Sequence, residues 1–262
     1  MPGDWTQLTR SLQSIPREFG VTPRAVLVVS GDWEAPDFTV QSHPNPPMFY
    51  DYGGFPEFTY HIQYPGPGSP ETAARVVALL DAAGIPTRVD TTRGFDHGVF
   101  APLYVAYPAA DVPILQLSIR DDYDPAAHLA AGRALAPPRD DGVLIVRSGF
   151  TYHNMGAFGP AGTRASREFD DWLDQTLVHD PIGARGGRLI DWDTAPSARA
   201  SHPSEDHLIP LMVAVGAAET EPGARIYHQD DFMDTISSSS FRFGHTPTGP
   251  ESSANDAEDA PD

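Results

Sequence analysis

A chain of 262 residues with 36 acidic side chains against 17 basic ones has a formal net charge of −19, so neither nucleic acid nor an anionic membrane is expected as a partner. Cysteine and lysine are both absent, which excludes disulfides, thiolate metal sites, cysteine nucleophiles and lysine Schiff bases. Carboxylates, ten histidines, Tyr, Ser and Arg remain, a palette for acid–base chemistry or for a metal held by nitrogen and oxygen.

In chain order, Trp5, Leu8, Leu12 and Ile15 recur at helical spacing and predict a helix over 5–18 with Asp4 as its N-cap. The apolar, β-branched run 24–30 predicts a strand buried on both faces, and similar runs follow at 112–118 and 143–146. Helices are predicted between them, over 70–83, closed by Gly84, and over 125–137. Further helices are predicted at 165–177 and 204–217, and short strands at 224–228 and 239–243. The alternation predicts a single α/β domain with a central mixed sheet, helices on both faces and a site at the strand ends. Residues 245–262 hold five acidic side chains, no basic one and no large apolar one, and are expected to form a disordered acidic tail, leaving −14 on residues 1–244. No apolar run reaches the roughly 20 residues of a membrane span, and Met1-Pro-Gly-Asp-Trp5 lacks the regions of a signal peptide. A soluble cytoplasmic protein is the expectation.

Two kinds of segment hold the candidate chemistry. The stretch Pro44-Asn-Pro-Pro-Met-Phe-Tyr-Asp-Tyr-Gly-Gly-Phe-Pro56 sets four aromatic rings between prolines, and reads either as a rigid wall for an aromatic ligand or as a loop capping the core. Asp32 follows the first strand, His153 follows the 143–146 strand, His97 lies between glycines in Arg93-Gly-Phe-Asp-His-Gly98, and His207 lies in the first turn of the helix predicted at 204–217. Singly, each has a structural alternative: a strand-end cap for Asp32, buried hydrogen-bonded rings for His97 and His153, a surface side chain for His207. Their common position at strand ends favours a site. His202 and His207 are five apart, not at the i, i+4 spacing that sets two ligands on one helical face. No dinucleotide fingerprint, phosphate loop, His-Glu-x-x-His or nucleophile elbow is present.

These motifs together resemble the class III (LigB-type) extradiol ring-cleavage dioxygenases, and within them the DOPA-dioxygenase-like group. The likeness rests on Ala25-Val-Leu-Val-Val-Ser-Gly-Asp-Trp-Glu34, Tyr50-Asp-Tyr-Gly-Gly-Phe-Pro56, Gln63-Tyr-Pro-Gly-Pro-Gly68, Gly94-Phe-Asp-His-Gly98, Tyr152-His-Asn154 and Glu205-Asp-His-Leu-Ile-Pro-Leu211, with Ser239-Ser-Phe-Arg-Phe243 as the closing strand. The resemblance implies a LigB-type catalytic domain over 1–244, with a non-haem metal that cleaves an aromatic diol beside its hydroxyls with O2. It implies a metal at Asp32 and His207, proton handling by His153 and a pocket-lining catalytic role for His97, and a substrate wall from Tyr50, Tyr52, Phe55 and Tyr152. Fe(II) is the metal expected for activity, and Zn(II) suits the same donors without redox chemistry. The expected partners are a small aromatic diol and O2, and a homo-oligomer is compatible with the chain.

Two features depart from the family pattern. Asp32 stands where the resemblance expects a histidine, and the family's N-terminal His-Gly segment, with the first strand, is expected to be missing from residues 1–244. A two-histidine, one-carboxylate set leaves open positions on Fe(II), so a carboxylate is electronically acceptable there. Two alternatives keep the pocket: a metal-free acid–base enzyme, a hydrolase or lyase acting on an aromatic or dicarbonyl compound, and a catalytically dead relative that binds a small molecule.

Overall fold

In a computed structural model, which describes residues 5–244, the apolar run that follows Arg24 becomes an inner strand of a five-stranded sheet. The predicted N-cap Asp4 and the predicted tail 245–262 lie outside the described residues. The chain runs α1 (Thr6–Phe19), β1 (Ala25–Ala35), β2 (Phe38–Gln41), α2 (Pro70–Ala82), β3 (Thr87–Asp90), α3 (His97–Ala106), β4 (Ile114–Arg120), α4 (Pro125–Ala134), α5 (Pro137–Asp140) and β5 (Val143–Ser148). It continues through α6 (Thr163–Asp174), α7 (Arg185–Ile190), α8 (Ala198–Ser201), α9 (Pro210–Ala217), β6 (Gly223–Phe232) and β7 (Ile236–Phe243).

The sheet order is β3-β2-β4-β1-β5. β1 is parallel to β4 and β5, β2 is parallel to β3, and β2 meets β4 antiparallel, so the sheet is mixed. β6 and β7 form a separate antiparallel pair. Side chains alternate across a strand, so Leu27 and Val29 enter one core with Leu80, Leu129, Phe169 and Val213, while Val26 and Val28 enter a second with Val99, Phe100 and Leu103. Both faces of β1 are therefore buried, which is why its sequence is continuously apolar rather than alternating.

Several boundaries differ from the sequence pattern, each for a local reason. The first strand continues to Ala35, so Asp32 lies within β1 and not beyond it. The second predicted strand begins at Ile114, after Pro113, which lacks an N–H for the ladder. The helix predicted over 125–137 stops at Ala134, because Pro137 and Pro138 cannot sit in a helix interior and instead open α5. The helix predicted over 204–217 begins only at Pro210, placed in its first turn, so His207 lies in the preceding turn, where Leu208 and Ile209 donate to the Glu205 carbonyl. β2, β3 and α3 carry little periodic signal. β3 is half-exposed, and α3 contains Pro102 yet is started by Asp96, whose side chain accepts from the Val99 N–H.

Two buried histidines make the fold acid-sensitive. His128 donates from Nδ1 to the Asp124 carbonyl at 2.7 Å and accepts the Arg120 N–H at Nε2 at 3.0 Å, an arrangement only the neutral ring can make. His202 donates from Nε2 to the Thr151 carbonyl at 3.0 Å. Burial pushes His128 down to about 4 and His202 down to about 3. Below the ordinary histidine value near 6.5 the unfolded chain takes up protons that the folded chain refuses, so stability falls as the pH drops from about 6.5 towards 4. Each ring is expected to cost about 2 kcal/mol between pH 7.5 and pH 5. Urea midpoints at the two pH values test this: His128→Gln should reduce the difference by the share of one ring, and an unchanged pH dependence would contradict it.

Candidate functional site

The site starts from an irregularity in β1. Between the pairs Val29–Leu117 and Glu34–Ile119, β1 advances five residues while β4 advances two, so Ser30–Trp33 bulge out of the β1–β4 ladder at the carboxyl end of an inner strand, Ser30 still pairing with Ser148 of β5. Ligands bind open α/β sheets at that end. Ser30 fixes the bulge, because its Oγ donates to Asp96 Oδ1 at 3.0 Å and accepts the Asp32 N–H at 3.2 Å. Asp96 is fully buried and also accepts from Gln116 at 2.7 Å and Arg93 at 3.0 Å. Its burial raises the carboxyl above the ordinary range, although Arg93 and Gln116 pull the other way. Two glycines let the 205–207 turn close onto the strand ends. A Cβ on Gly31 would stand 2.8 Å from the Asp206 carbonyl oxygen, and one on Gly149 would stand 2.3 Å from that of His207.

The Asp32 carboxylate lies between two imidazoles. Its Oδ2 is 3.7 Å from His97 Nε2 and its Oδ1 is 3.6 Å from His207 Nε2. Burial raises Asp32, but contact with His207, the His97 and His207 charges and the Ser30 hydroxyl outweigh it and hold the carboxyl below its ordinary value. His97 is at the start of α3, and Asp51 Oδ1 accepts from both its Nδ1, at 2.8 Å, and its backbone N–H, at 3.1 Å. Burial lowers His97, but Asp51 and the charges of Asp32 and Asp96 outweigh it and raise the ring above the ordinary histidine value. His207 is buried, not the surface side chain of its structural alternative, and accepts the Phe150 N–H at Nδ1 at 3.3 Å. His153 stacks on it with ring centroids 3.4 Å apart and planes 20° from parallel, its Nδ1 3.8 Å from Asp206 Oδ2.

Among the described residues, Asp32, Asp51 and His97 form one group of three donors within 4.8 Å of one another, and His153, Asp206 and His207 form a second. Asp32 and His207 join the two groups. The set holds only imidazole and carboxylate donors, which suits Fe(II), Zn(II) or a similar ion. Spacings of 3.6 and 3.7 Å, to opposite oxygens of Asp32, are too long for hydrogen bonds. Asp206 Oδ1 is buried with no hydrogen-bond partner. The residues present therefore fit a metal.

The aromatic loop stands beside His97. The Tyr52 ring meets the His97 ring edge-on at 5.6 Å, Tyr50 and Phe55 pack against Tyr52, and Phe55 remains exposed. The Tyr50 and Tyr52 hydroxyls donate within the loop, to the Ile62 and Thr59 carbonyls. Tyr152 departs from its expected place in the substrate wall. It is 1% exposed, packs with Ala165 and Ile236, and donates to the Ala157 carbonyl, so its ring belongs to the core.

Residues 4–244 match the family described as the catalytic LigB subunit of aromatic ring-opening dioxygenase. The chain belongs to this family. It is 35% identical over 233 residues to a 4,5-DOPA dioxygenase extradiol of Beta vulgaris, spanning 87% of this chain and 85% of that one. It is 34% identical over 245 residues to a protein of the same name from Escherichia coli K12, spanning 90% and 88%. A crystal structure of an uncharacterized protein from Escherichia coli K12 is similar with a TM-score of 0.72 and 30% identity, over 89% of this chain and 91% of that one.

The structure adds Asp51, Asp96 and Asp206 to the residues that pattern reading singled out. Each lies inside or next to a quoted motif, and the available signal was the clustering of acids beside the histidines. Gly98→Ala tests the packing around Asp32, because the new Cβ would stand 2.4 Å from Ser30 Oγ and 2.5 Å from Asp32 Oδ2. The expected outcome is a folded protein that loses metal affinity. A variant that binds metal like the parent would show that Asp32 is free to move.

Proposed function

We propose that this chain is a metal-dependent extradiol dioxygenase that opens a catechol-type ring with O2, using a metal held at Asp32 and His207, with residues 1–244 as its catalytic domain. The observation that carries the reading is the ionised Asp32 carboxylate set between two imidazoles at the strand ends, with a third imidazole stacked alongside. The relatives named for 4,5-DOPA cleavage support a catechol bearing an amino-acid side chain as the first substrate to try. When bound, Fe(II) would supply a redox-active Lewis acid that accepts the diol oxygens and O2.

The chain's own groups do the rest. His153 takes a diol proton and later returns it, and the Asp206 carboxylate 3.8 Å from its Nδ1 supports the charge that the ring gains. Asp206 itself is held below the ordinary carboxylate range, because His153 and His207 outweigh the effect of its burial, so it is available as an anion. Tyr50, Tyr52 and Phe55 give the substrate ring an apolar wall on the His97 side. His97 lines the pocket opposite His207 across Asp32.

The test is O2 consumption by the Fe(II)-loaded protein with L-DOPA and simple catechols. Activity should fall about 10²–10⁴-fold in His153→Ala with metal content unchanged. Absence of O2 uptake with every catechol, in a protein shown to hold stoichiometric iron, would sink the reading.

A further inference from the structure

Asp51 stands between Tyr50 and Tyr52 in the aromatic loop, and its carboxylate is turned away from the loop towards one residue of α3. Asp51 Oδ1 accepts the His97 ring Nδ1–H at 2.8 Å and the His97 backbone N–H at 3.1 Å. The backbone bond ties the carboxylate to the start of the helix, and the ring bond then fixes the imidazole against it. The Asp51 side chain is 12% exposed and that of His97 is 39% exposed, so the enclosed partner does the holding and the open one faces the site. Nδ1 is committed to Asp51 in the neutral and the protonated ring alike, which leaves Nε2 as the edge available to a bound molecule.

The loop is itself fastened to the segment that leads into α3. The Phe49 N–H donates to the Phe95 carbonyl and the Phe95 N–H to the Pro47 carbonyl, both at 2.8 Å, around a parallel bridge between Met48 and Phe95. A Cβ on Gly94 would stand 2.3 Å from the Pro47 carbonyl oxygen, so glycine is what lets the two backbones run this close. The same approach sets the Tyr52 ring edge-on to the His97 ring at 5.6 Å. The Tyr50 and Tyr52 hydroxyls are spent on the Ile62 and Thr59 carbonyls, so neither competes for the carboxylate between them. Neither of the other two site imidazoles is held in this way: His153 Nδ1 is 3.8 Å from Asp206 Oδ2, and His207 Nδ1 accepts the Phe150 N–H at 3.3 Å.

We propose that Asp51 is a positioning residue of the ring-cleavage reaction: it holds the His97 ring with Nε2 turned to the substrate oxygens, and locks that ring to the aromatic wall on which the substrate packs. The inference rests on the dioxygenase reading above and adds to it a residue that acts only through His97. Misplacing a reacting group by about 1 Å costs on the order of 10²-fold in rate, so the effect of Asp51 is on turnover, and the metal is held without it.

The experiment is a double-mutant cycle on Fe(II)-loaded protein, read by O2 uptake with L-DOPA and with catechol and by iron analysis. Asp51→Ala should lower kcat about 10²-fold, with KM within a few-fold of the parent and iron content unchanged. Asp51→Asn, whose amide oxygen can accept the same two N–H groups, should recover most of that loss. His97→Ala with Asp51→Ala should be no slower than His97→Ala alone, because there is no ring left to hold. An equal loss from Asp51→Ala with and without the His97 ring would mean a structural role and overturn the proposal, as would parent-like turnover. Loss of iron from Asp51→Ala would place Asp51 on the ion and overturn it too. If thermal melts show Asp51→Ala unfolded, the imidazole 15N spectrum of the Zn(II)-loaded parent decides: His97 should carry hydrogen on Nδ1, and hydrogen on Nε2 alone would overturn the assignment. A parent that holds iron and takes up no O2 with any catechol would overturn the dioxygenase reading and this proposal together, whereas the variant outcomes overturn this proposal alone.

Discussion

Two parallel strands advance residue for residue unless one of them bulges, and β1 bulges as it passes the end of β4. The extra length takes Asp32 out of the ladder and turns its carboxylate towards the 205–207 turn and the start of α3. Everything polar at the site is arranged around that displacement. Ser30 holds the bulge on one side, and Gly31 lets the neighbouring backbone approach on the other. The two hydrophobic cores fix the strands on either side, so the bulge projects from a rigid frame.

The electrostatics follow from crowding acids and imidazoles into a half-buried space. Asp32 and Asp96 both contact the Ser30 hydroxyl, yet they move in opposite directions: Asp32 is held ionised by the two facing rings, while burial dominates at Asp96. Of the carboxylates that give the chain its −19, four, those of Asp32, Asp51, Asp96 and Asp206, gather around three histidines. Such a cluster favours a cation on simple Coulomb grounds, and its donors are imidazole nitrogens and carboxylate oxygens.

The strands and helices with strong apolar periodicity could be read from the sequence: β1, β4, β5, α1, α2 and α4 stand close to where the pattern puts them. β2 and β3 could not be, because each is four residues long and β3 is half-exposed, too little for a period of two to register. The start of α9 was misplaced because the acidic text before Pro210 imitates a helix N-terminus while its backbone forms turns. At the site, Asp32, His97, His153 and His207 were visible as residues after strands or within short motifs. Tyr152 was misleading, because a tyrosine beside His153 in sequence packs into a small core with Ala165 and Ile236 instead of lining the site. The role of Asp51 was hidden for a different reason: 46 positions separate it from the histidine it anchors, and nothing local announces the pairing.

The Asp96 carboxylate has a mechanical consequence. It caps α3 through the Val99 N–H, ties β4 through Gln116, and reaches the β1 bulge through Ser30. One buried side chain thus pins a helix and two strands at a single point, and Arg93, lying over the Trp33 ring at 4.3 Å, clamps that point from outside. His97 directly follows Asp96, and Asp32 lies two residues beyond Ser30, so the imidazole and carboxylate that face each other are carried by elements riveted together behind them. The width of the gap between them is set by the scaffold before any ligand arrives, and an occupant has to match that width rather than draw the walls in around itself.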